Sequence, residues 1–302
     1  MPAPTPWPLV LPRLAVHALA ALSPRAAGAL AMRLFMGTRP RMRVTRDAVG
    51  ILRDARHEVL SVDGRRIHLA DWGGDGPAVV LLHGWRGRAA QFWTLVPALR
   101  ADGYRVIAPD VAAHGDSAGG RVDVRDWIAV LAELQRRHGR FRAVIGHSFG
   151  GFAALTAARL GLETDAVVAI AGAGRPTAYS EQFARMLELS APVQAELHRR
   201  FLARLGETPE GFRARYDGVA NPLAPSVPLL LVHGERDRQM PPAASRELAE
   251  ATPASRLQLV PGTGHVRIIG HRQTVDAVLA HLADAGMVTR ARRPVTPIAA
   301  RP

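Results

Sequence analysis

The sequence predicts an α/β chain: a doubly wound, mostly parallel sheet of about eight strands, with a helical lid insertion and an N-terminal helical extension. Three observations carry this. From residue 57 onward, short apolar runs alternate with stretches of helical periodicity, as in a sheet covered by helices on both faces. At 141–156 an apolar run, a Gly-x-Ser-x-Gly turn and a helical pattern follow one another without a break. Between 175 and 228 the alternation stops, and only helical spacing remains.

Taken in order, residues 1–56 read as an appendage. Pro2, Pro4, Pro6 and Pro8 keep its start extended. Helical patterns follow at about 11–22 and 24–36, with Ser23 as N-cap and Pro24 in the first helical position. The main domain is expected over 57–285. Segments 58–62 and 66–70 are strand-like around the turn signal Asp63-Gly64. Residues 78–82 form a buried strand, 91–100 a helix and 104–108 the next strand. Asp123 can cap a helix whose Val124, Trp127, Ile128, Leu131 and Leu134 share one face. Phe141, Ala143, Val144 and Ile145 make the central strand, and Phe149, Phe152, Ala153 and Leu155 open the helix after it. Strands at 166–171, 229–232 and 257–260 and helices at 243–251 and 266–283 complete the domain, leaving 286–302 as a loose tail. In the insertion at 175–228, Phe183, Met186, Leu187, Leu197, Phe201, Leu202 and Leu205 recur at helical spacing, as a lid over the strand ends would require.

Composition narrows the partners. Hydrophobic residues make up 48% of the 302, enough for a sizeable core, and the absence of cysteine excludes disulfides, a thiol nucleophile and a zinc–thiolate site. The net charge is +13, all 39 basic residues are arginine, and residues 1–56 hold nine of them against Asp47 and Asp54. No nucleic-acid motif accompanies the charge and aromatics are only 5%, so no nucleic-acid partner is expected. The extension reads first as a helical pair packed on the main domain. The alternative is an apolar face laid on an anionic membrane surface, a peripheral contact. No run reaches the ~20 apolar residues of a membrane span. The stretch 9–22 is broken by Pro12, Arg13 and His17 and lacks a basic lead, which argues against a signal peptide and for a cytoplasmic or membrane-peripheral protein.

The chemistry centres on Gly146-His147-Ser148-Phe149-Gly150. Strand, sharp turn and helix around a serine form a nucleophile elbow, with the hydroxyl lifted above a helix N-terminus that favours a developing oxyanion. A base and an orienting acid are expected at the same sheet edge, because ligands bind outside the C-terminal ends of the strands. The strand at 229–232 leads into His233-Gly234-Glu235-Arg236-Asp237, and that at 257–260 into Pro261-Gly262-Thr263-Gly264-His265. His265 is therefore the candidate general base and Asp237 its orienting carboxylate, with Glu235 as the alternative acid. His233 reads as a packing residue and His271 and His281 as surface residues, while Asp165 precedes its strand and falls on the wrong edge. The oxyanion hole needs two N–H donors. Phe149 follows the nucleophile, and Trp85 lies in the loop after 78–82; its indole could also line the substrate pocket. Phe183, Met186, Leu187, Phe201 and Phe212 are candidate pocket walls.

Five marks occur together in this order: His83-Gly84-Trp85, Asp110 to Ser117, the Gly146–Gly150 elbow, His233 to Asp237, and Gly264-His265. Over about 57–283 the chain resembles the α/β-hydrolase fold superfamily, in its serine esterase and lipase branches. The resemblance implies a Ser148–His265–Asp237 catalytic triad, an acyl-serine intermediate, an acyl ester substrate, no metal and no organic cofactor, with His114 structural. The loop after the third strand lacks a Gly-Gly-Gly run, unlike the hormone-sensitive-lipase branch. Serine at the elbow argues against dehalogenase and epoxide hydrolase chemistry, which uses aspartate there. Thioester, amide, carbon–carbon or perhydrolase chemistry by the same residues stays open, as does a non-catalytic ligand-binding role.

Overall fold

The computed structural model describes residues 7–292, with side chains described from 10 to 285. Eight strands form one sheet: β1 (Arg56–Val62), β2 (Arg65–Asp71), β3 (Ala78–Leu82), β4 (Arg105–Asp110), β5 (Ala143–His147), β6 (Val167–Ile170), β7 (Leu229–Gly234) and β8 (Ser255–Val260). Their spatial order is β1-β2-β4-β3-β5-β6-β7-β8. β2 runs antiparallel to β1 and β4, and every other pairing is parallel. The hairpin turn between β1 and β2 falls on Asp63 and Gly64, both at positive φ (47° and 71°), which suits a tight two-residue connection.

Strand side chains alternate between two buried layers. Val80, Leu82, Val144, Leu229 and Leu231 face one layer, with Trp127 and Leu131 of α5 (Val124–His138) and Phe152 of α6 (Phe149–Arg159). Val79, Leu81, Ile145 and Leu230 face the other, with Leu95 and Leu99 of α4 (Leu95–Ala101) and Val278 and Leu282 of α11 (Arg272–Arg292). Continuous apolar strands are thus explained by a sheet buried on both faces. Asp123 and Asp126 close a reciprocal capping box at the start of α5.

Between β6 and β7 the insertion folds into α7 (Thr177–Leu187), α8 (Ala191–Leu205) and α9 (Pro209–Tyr216). The extension supplies α1 (Trp7–Leu22), α2 (Pro24–Phe35) and α3 (Arg46–Arg53), and α10 (Ala243–Ala251) lies between β7 and β8. Ser23 Oγ accepts from the Ala26 N–H at the start of α2. Val16, Ala27 and Ala31 of α1 and α2 share a separate buried cluster with Ala184, Leu187, Val193 and Leu197 of the lid. The helical pair therefore rests on the lid, and the segment after it reaches the main domain: Arg41 donates to the Gly115 and Ser117 carbonyls and Met42 N–H to Arg86 O.

Several boundaries differ from the sequence reading. Pro8 lies in the first turn of α1, where a missing N–H costs nothing, rather than in an extended lead; Pro2, Pro4 and Pro6 lie outside the described residues. The helix expected at 91–100 is a 3₁₀ turn (Ala89–Phe92) followed by α4. α3 was not anticipated, being too short to show a period. The last helix starts at Arg272, after a 3₁₀ turn ending at Gly270, and runs to Arg292. The expected loose tail is helical over 286–292, because no glycine or proline follows Gly286 until Pro294; positions 293–302 lie outside the described residues.

Candidate active site

The elbow is shaped by what cannot fit. A Cβ on Gly146 would overlap the Gly150 carbonyl, and one on Gly150 would overlap the Leu82 carbonyl, so strand, turn and helix can meet this closely only with glycine at both positions. Ser148, between them, is held at φ 51°, ψ −119°, a strained conformation for a residue with a side chain. Its N–H donates to Ile170 O at 2.8 Å, fixing the turn to the neighbouring strand.

β8 and β7 bring the partners. His265 Nε2 lies 2.9 Å from Ser148 Oγ, and His265 Nδ1 lies 2.6 Å from Asp237 Oδ2. The other oxygen of Asp237 accepts from the N–H groups of Gln239 (2.8 Å) and Met240 (2.9 Å). His233, fully buried, places Nε2 2.8 Å from Met240 O and 3.3 Å from Asp237 Oδ2. Burial alone would raise the Asp237 pKa. The hydrogen bonds with His233 and His265, the His265 charge and the Met240 N–H outweigh it and hold the carboxyl well below the usual range. Asp237 thus stays ionised and acceptor-only, which assigns the proton on His265 to Nδ1 and leaves the Nε2 lone pair toward the Ser148 hydroxyl.

The alternative residues lie elsewhere. Glu235 is solvent-exposed on the turn before Asp237. Asp165 pairs with Arg140 and Arg142 at the far end of the sheet. His271 is half-buried. His281, expected at the surface, is buried at 7% exposure against the Pro228 backbone, because α11 turns that face onto the sheet. His114 is buried among His83, Trp85 and Trp127, with Nδ1 on Ala112 O.

The loop after β3 abuts the serine: a Cβ on Gly84 would stand 3.1 Å from Ser148 Cβ. His83, buried, accepts from Val111 N–H at Nε2 and faces Gly84 O at Nδ1, which stiffens the loop. Among the described residues the backbone N–H groups of Trp85 and Phe149 have no hydrogen-bond partner. The Trp85 indole stacks on Trp127 with centroids 5.6 Å apart, meets Phe149 edge-on, and donates to Gly37 O.

Ser148 and His265 open into a cavity of about 270 Å³. Phe183, Met186, Phe201, Phe212 and Trp85 all line it. Leu187 does not. It is fully buried against Val16, Ala27 and Ala31, one residue round α7 from Met186 and therefore on the face that receives the extension.

Three groups of residues were missed from the sequence. Leu34, Phe35 and Met36, at the end of α2, form part of the wall, with Phe35 against Phe183 and Phe201. Tyr179 of α7 also lines the cavity; its hydroxyl donates to Ser148 O and accepts from Ala173 N–H, both at 3.2 Å. His147, inside the elbow, places Nε2 2.8 Å from His265 O and so ties the histidine loop to the nucleophile turn. Only the His147 position was visible beforehand, as the residue next to the serine.

This sheet, lid and serine–histidine–aspartate line define an α/β hydrolase. Residues 79–280 match the alpha/beta hydrolase family, and the chain belongs to it. It is 28% identical over 252 residues to the magnesium-chelatase 30 kDa subunit of Rhodobacter capsulatus, covering 67% of this chain and 87% of that protein. It is 28% identical over 251 residues to a monoacylglycerol lipase of Mycolicibacterium smegmatis, covering 70% and 90%. A thermophilic esterase from Thermogutta terrifontis superposes with a TM-score of 0.56 at 20% identity over 76% of this chain and 99% of that one.

Proposed function

We propose that this protein is a serine hydrolase that cleaves a carboxylic ester through an acyl-serine intermediate. One observation carries the reading: His265 bridges Ser148 (2.9 Å) and Asp237 (2.6 Å) on the floor of an apolar cavity. In the first half-reaction His265 Nε2 takes the Ser148 proton as Oγ attacks the ester carbonyl. Asp237 holds the Nδ1 proton and stabilises the imidazolium. The Phe149 and Trp85 N–H groups, unpartnered among the described residues and carried by the elbow and by the loop that abuts Ser148, are the donors for the tetrahedral oxyanion. Collapse expels the alcohol, which takes the proton from His265 Nε2. Water, deprotonated by the same nitrogen, then attacks the acyl-serine; the bond from Ser148 Oγ to the acyl carbon breaks, Oγ takes the proton back from His265 Nε2, and the carboxylic acid leaves. No step needs a metal or cofactor. The aromatic and aliphatic walls favour a neutral short-to-medium acyl chain, and the resemblance to a lipase and an esterase points the same way.

The test is a fluorophosphonate probe followed by p-nitrophenyl esters from acetate to octanoate. Labelling of Ser148, lost in Ser148→Ala with folding intact, together with ester turnover, is expected. A second reading is a ligand-binding member of the family, favoured by the relative named as a chelatase subunit. It predicts neither labelling nor turnover in folded protein. Labelling with turnover of only thioesters or amides would move the bond class and keep the serine chemistry.

A further inference from the structure

The outer face of α1 is built unlike that of an ordinary surface helix. Leu11, Leu14 and Leu22 are 76%, 57% and 85% exposed, and Ala15, Ala18 and Ala21 between them are exposed as well. At roughly 100° per residue these six positions fall on one stripe about 120° wide. The opposite face carries Val16, Leu19 and Ala20, which pack toward α2 and the lid. Arg13 is drawn sideways to Glu188 of the lid at 2.6 Å, and His17 Nε2 is drawn to the Leu187 carbonyl. The helix thus draws Arg13 and His17 toward the lid and turns Leu11, Leu14 and Leu22 toward solvent, where a surface helix normally does the reverse.

The charge of the same extension bears on what this stripe meets. The first carboxylate of the chain is Asp47, and seven arginines precede it: 13, 25, 33, 39, 41, 43 and 46. Arg13 and Arg41 are spent within the fold. Arg25, Arg33, Arg39, Arg43 and Arg46 are exposed and make no ion pair among the described residues. Among the described residues no helix is long and apolar enough to cross a membrane, so the stripe lies on a surface rather than spanning one. A second copy of this chain is a poor partner for it. Pairing through α1 would set two arginine-rich extensions side by side, each with seven arginines before its first carboxylate, in a chain of net charge +13.

We infer that the outer face of α1 docks the protein on an anionic lipid bilayer, with Leu11, Leu14 and Leu22 inserted among the acyl chains and the arginines of the extension held against the headgroups. Each basic side chain near such a surface adds attraction that salt weakens, and each buried leucine adds apolar burial that salt does not weaken. Docking also has a structural link to the cavity. α2, which carries Leu34, Phe35 and Met36 into the cavity wall, packs on α1 and on the lid. A bilayer on α1 therefore bears on the same helical unit that roofs Ser148. The inference stands on exposure and charge and does not depend on the chemistry at Ser148.

The experiment is co-sedimentation of the full chain with vesicles of phosphatidylcholine alone and of phosphatidylcholine with phosphatidylglycerol, at low and raised salt. It compares the wild type with Leu11→Gln/Leu14→Gln/Leu22→Gln and with Arg25→Gln/Arg33→Gln/Arg43→Gln. Circular dichroism and a thermal melt certify folding of each. The wild type should partition onto the anionic vesicles, and the leucine variant should lose about tenfold or more of that partitioning at either salt. The arginine variant should lose binding chiefly at low salt. Failure of the folded wild type to bind anionic vesicles, or equal binding by the leucine variant, overturns the inference. So does a solution dimer of the wild type that the leucine substitutions convert to monomer, since the face would then be occupied by a second copy.

Discussion

Asp237 gives one oxygen to His265 and the other to two N–H groups of its own turn, so its carboxylate is fixed in place before any substrate arrives. In the proposed mechanism a side chain held this way acts by keeping the Nδ1 proton where it is. Asp237→Asn keeps the shape but can present an amide N–H to Nδ1, favouring the wrong tautomer. By analogy with the serine-protease template in which this exchange is known, turnover should fall about four orders of magnitude with little change in fold. Glu235→Gln, two residues away but exposed to solvent, should change turnover less than about twofold on the same reasoning. Steady-state kinetics on one p-nitrophenyl ester decide between them, and the reverse ranking would reassign the acid. At this scale the serine, the histidine and the aspartate could be found in the sequence because each sits just after an apolar strand. The roles of His147 and Tyr179 could not, because their hydrogen bonds go to backbone carbonyls whose positions depend on the folded turn.

The lid and the extension behave as one unit, and that unit sets the pocket. The helical period of 175–228 was readable, and so was the edge it overhangs, but the face each residue presents was not. Leu187 differs from Met186 by one step round α7, and that step separates a packing residue from a cavity residue. Phe35 could not be placed at all, since nothing local indicates that a helix near residue 30 closes over a serine at 148. Two predictions belong here. With walls from Phe35, Phe183, Met186, Phe201 and Phe212, kcat/KM should rise from acetyl to about hexanoyl esters, each methylene contributing up to ~0.8 kcal/mol. A flat or falling profile would be incompatible with an apolar acyl site. Gly28 is where α2 meets α8, and a Cβ there would overlap Glu196. Gly28→Val should force the helices apart at a cost of about 1–3 kcal/mol. Because the end of α2 walls the cavity, the same variant should flatten the chain-length profile. A lowered melting temperature with the profile unchanged would mean the extension is packed beside the pocket without shaping it.

Across the whole molecule, the buried histidines tie the site to acid stability. Burial pushes His83 down to about 4, and burial together with a neighbouring histidine takes His114 and His147 down to about 3. All three are held neutral in the fold and titrate near 6.5 once unfolded. The sign follows: the folded pKa is depressed, so the unfolded chain binds more protons, and stability is full above about 6.5 and drains away as pH falls toward the folded values. Between neutrality and pH 5 the loss should be about 2 kcal/mol for each ring that becomes protonated on unfolding. Asp237, also depressed, adds a loss of the same sign only at lower pH. A chain of net charge +13 has a competing cause of acid sensitivity, since protonation anywhere increases self-repulsion. Salt separates the two, because it screens exposed charges and leaves buried rings untouched. Urea unfolding at pH 7.5 and pH 5, at low and high salt, should therefore show a drop in stability that persists in salt, and His147→Gln should remove part of it. A drop that vanishes at high salt would assign the acid sensitivity to the arginine-rich surface instead of the histidines around Ser148.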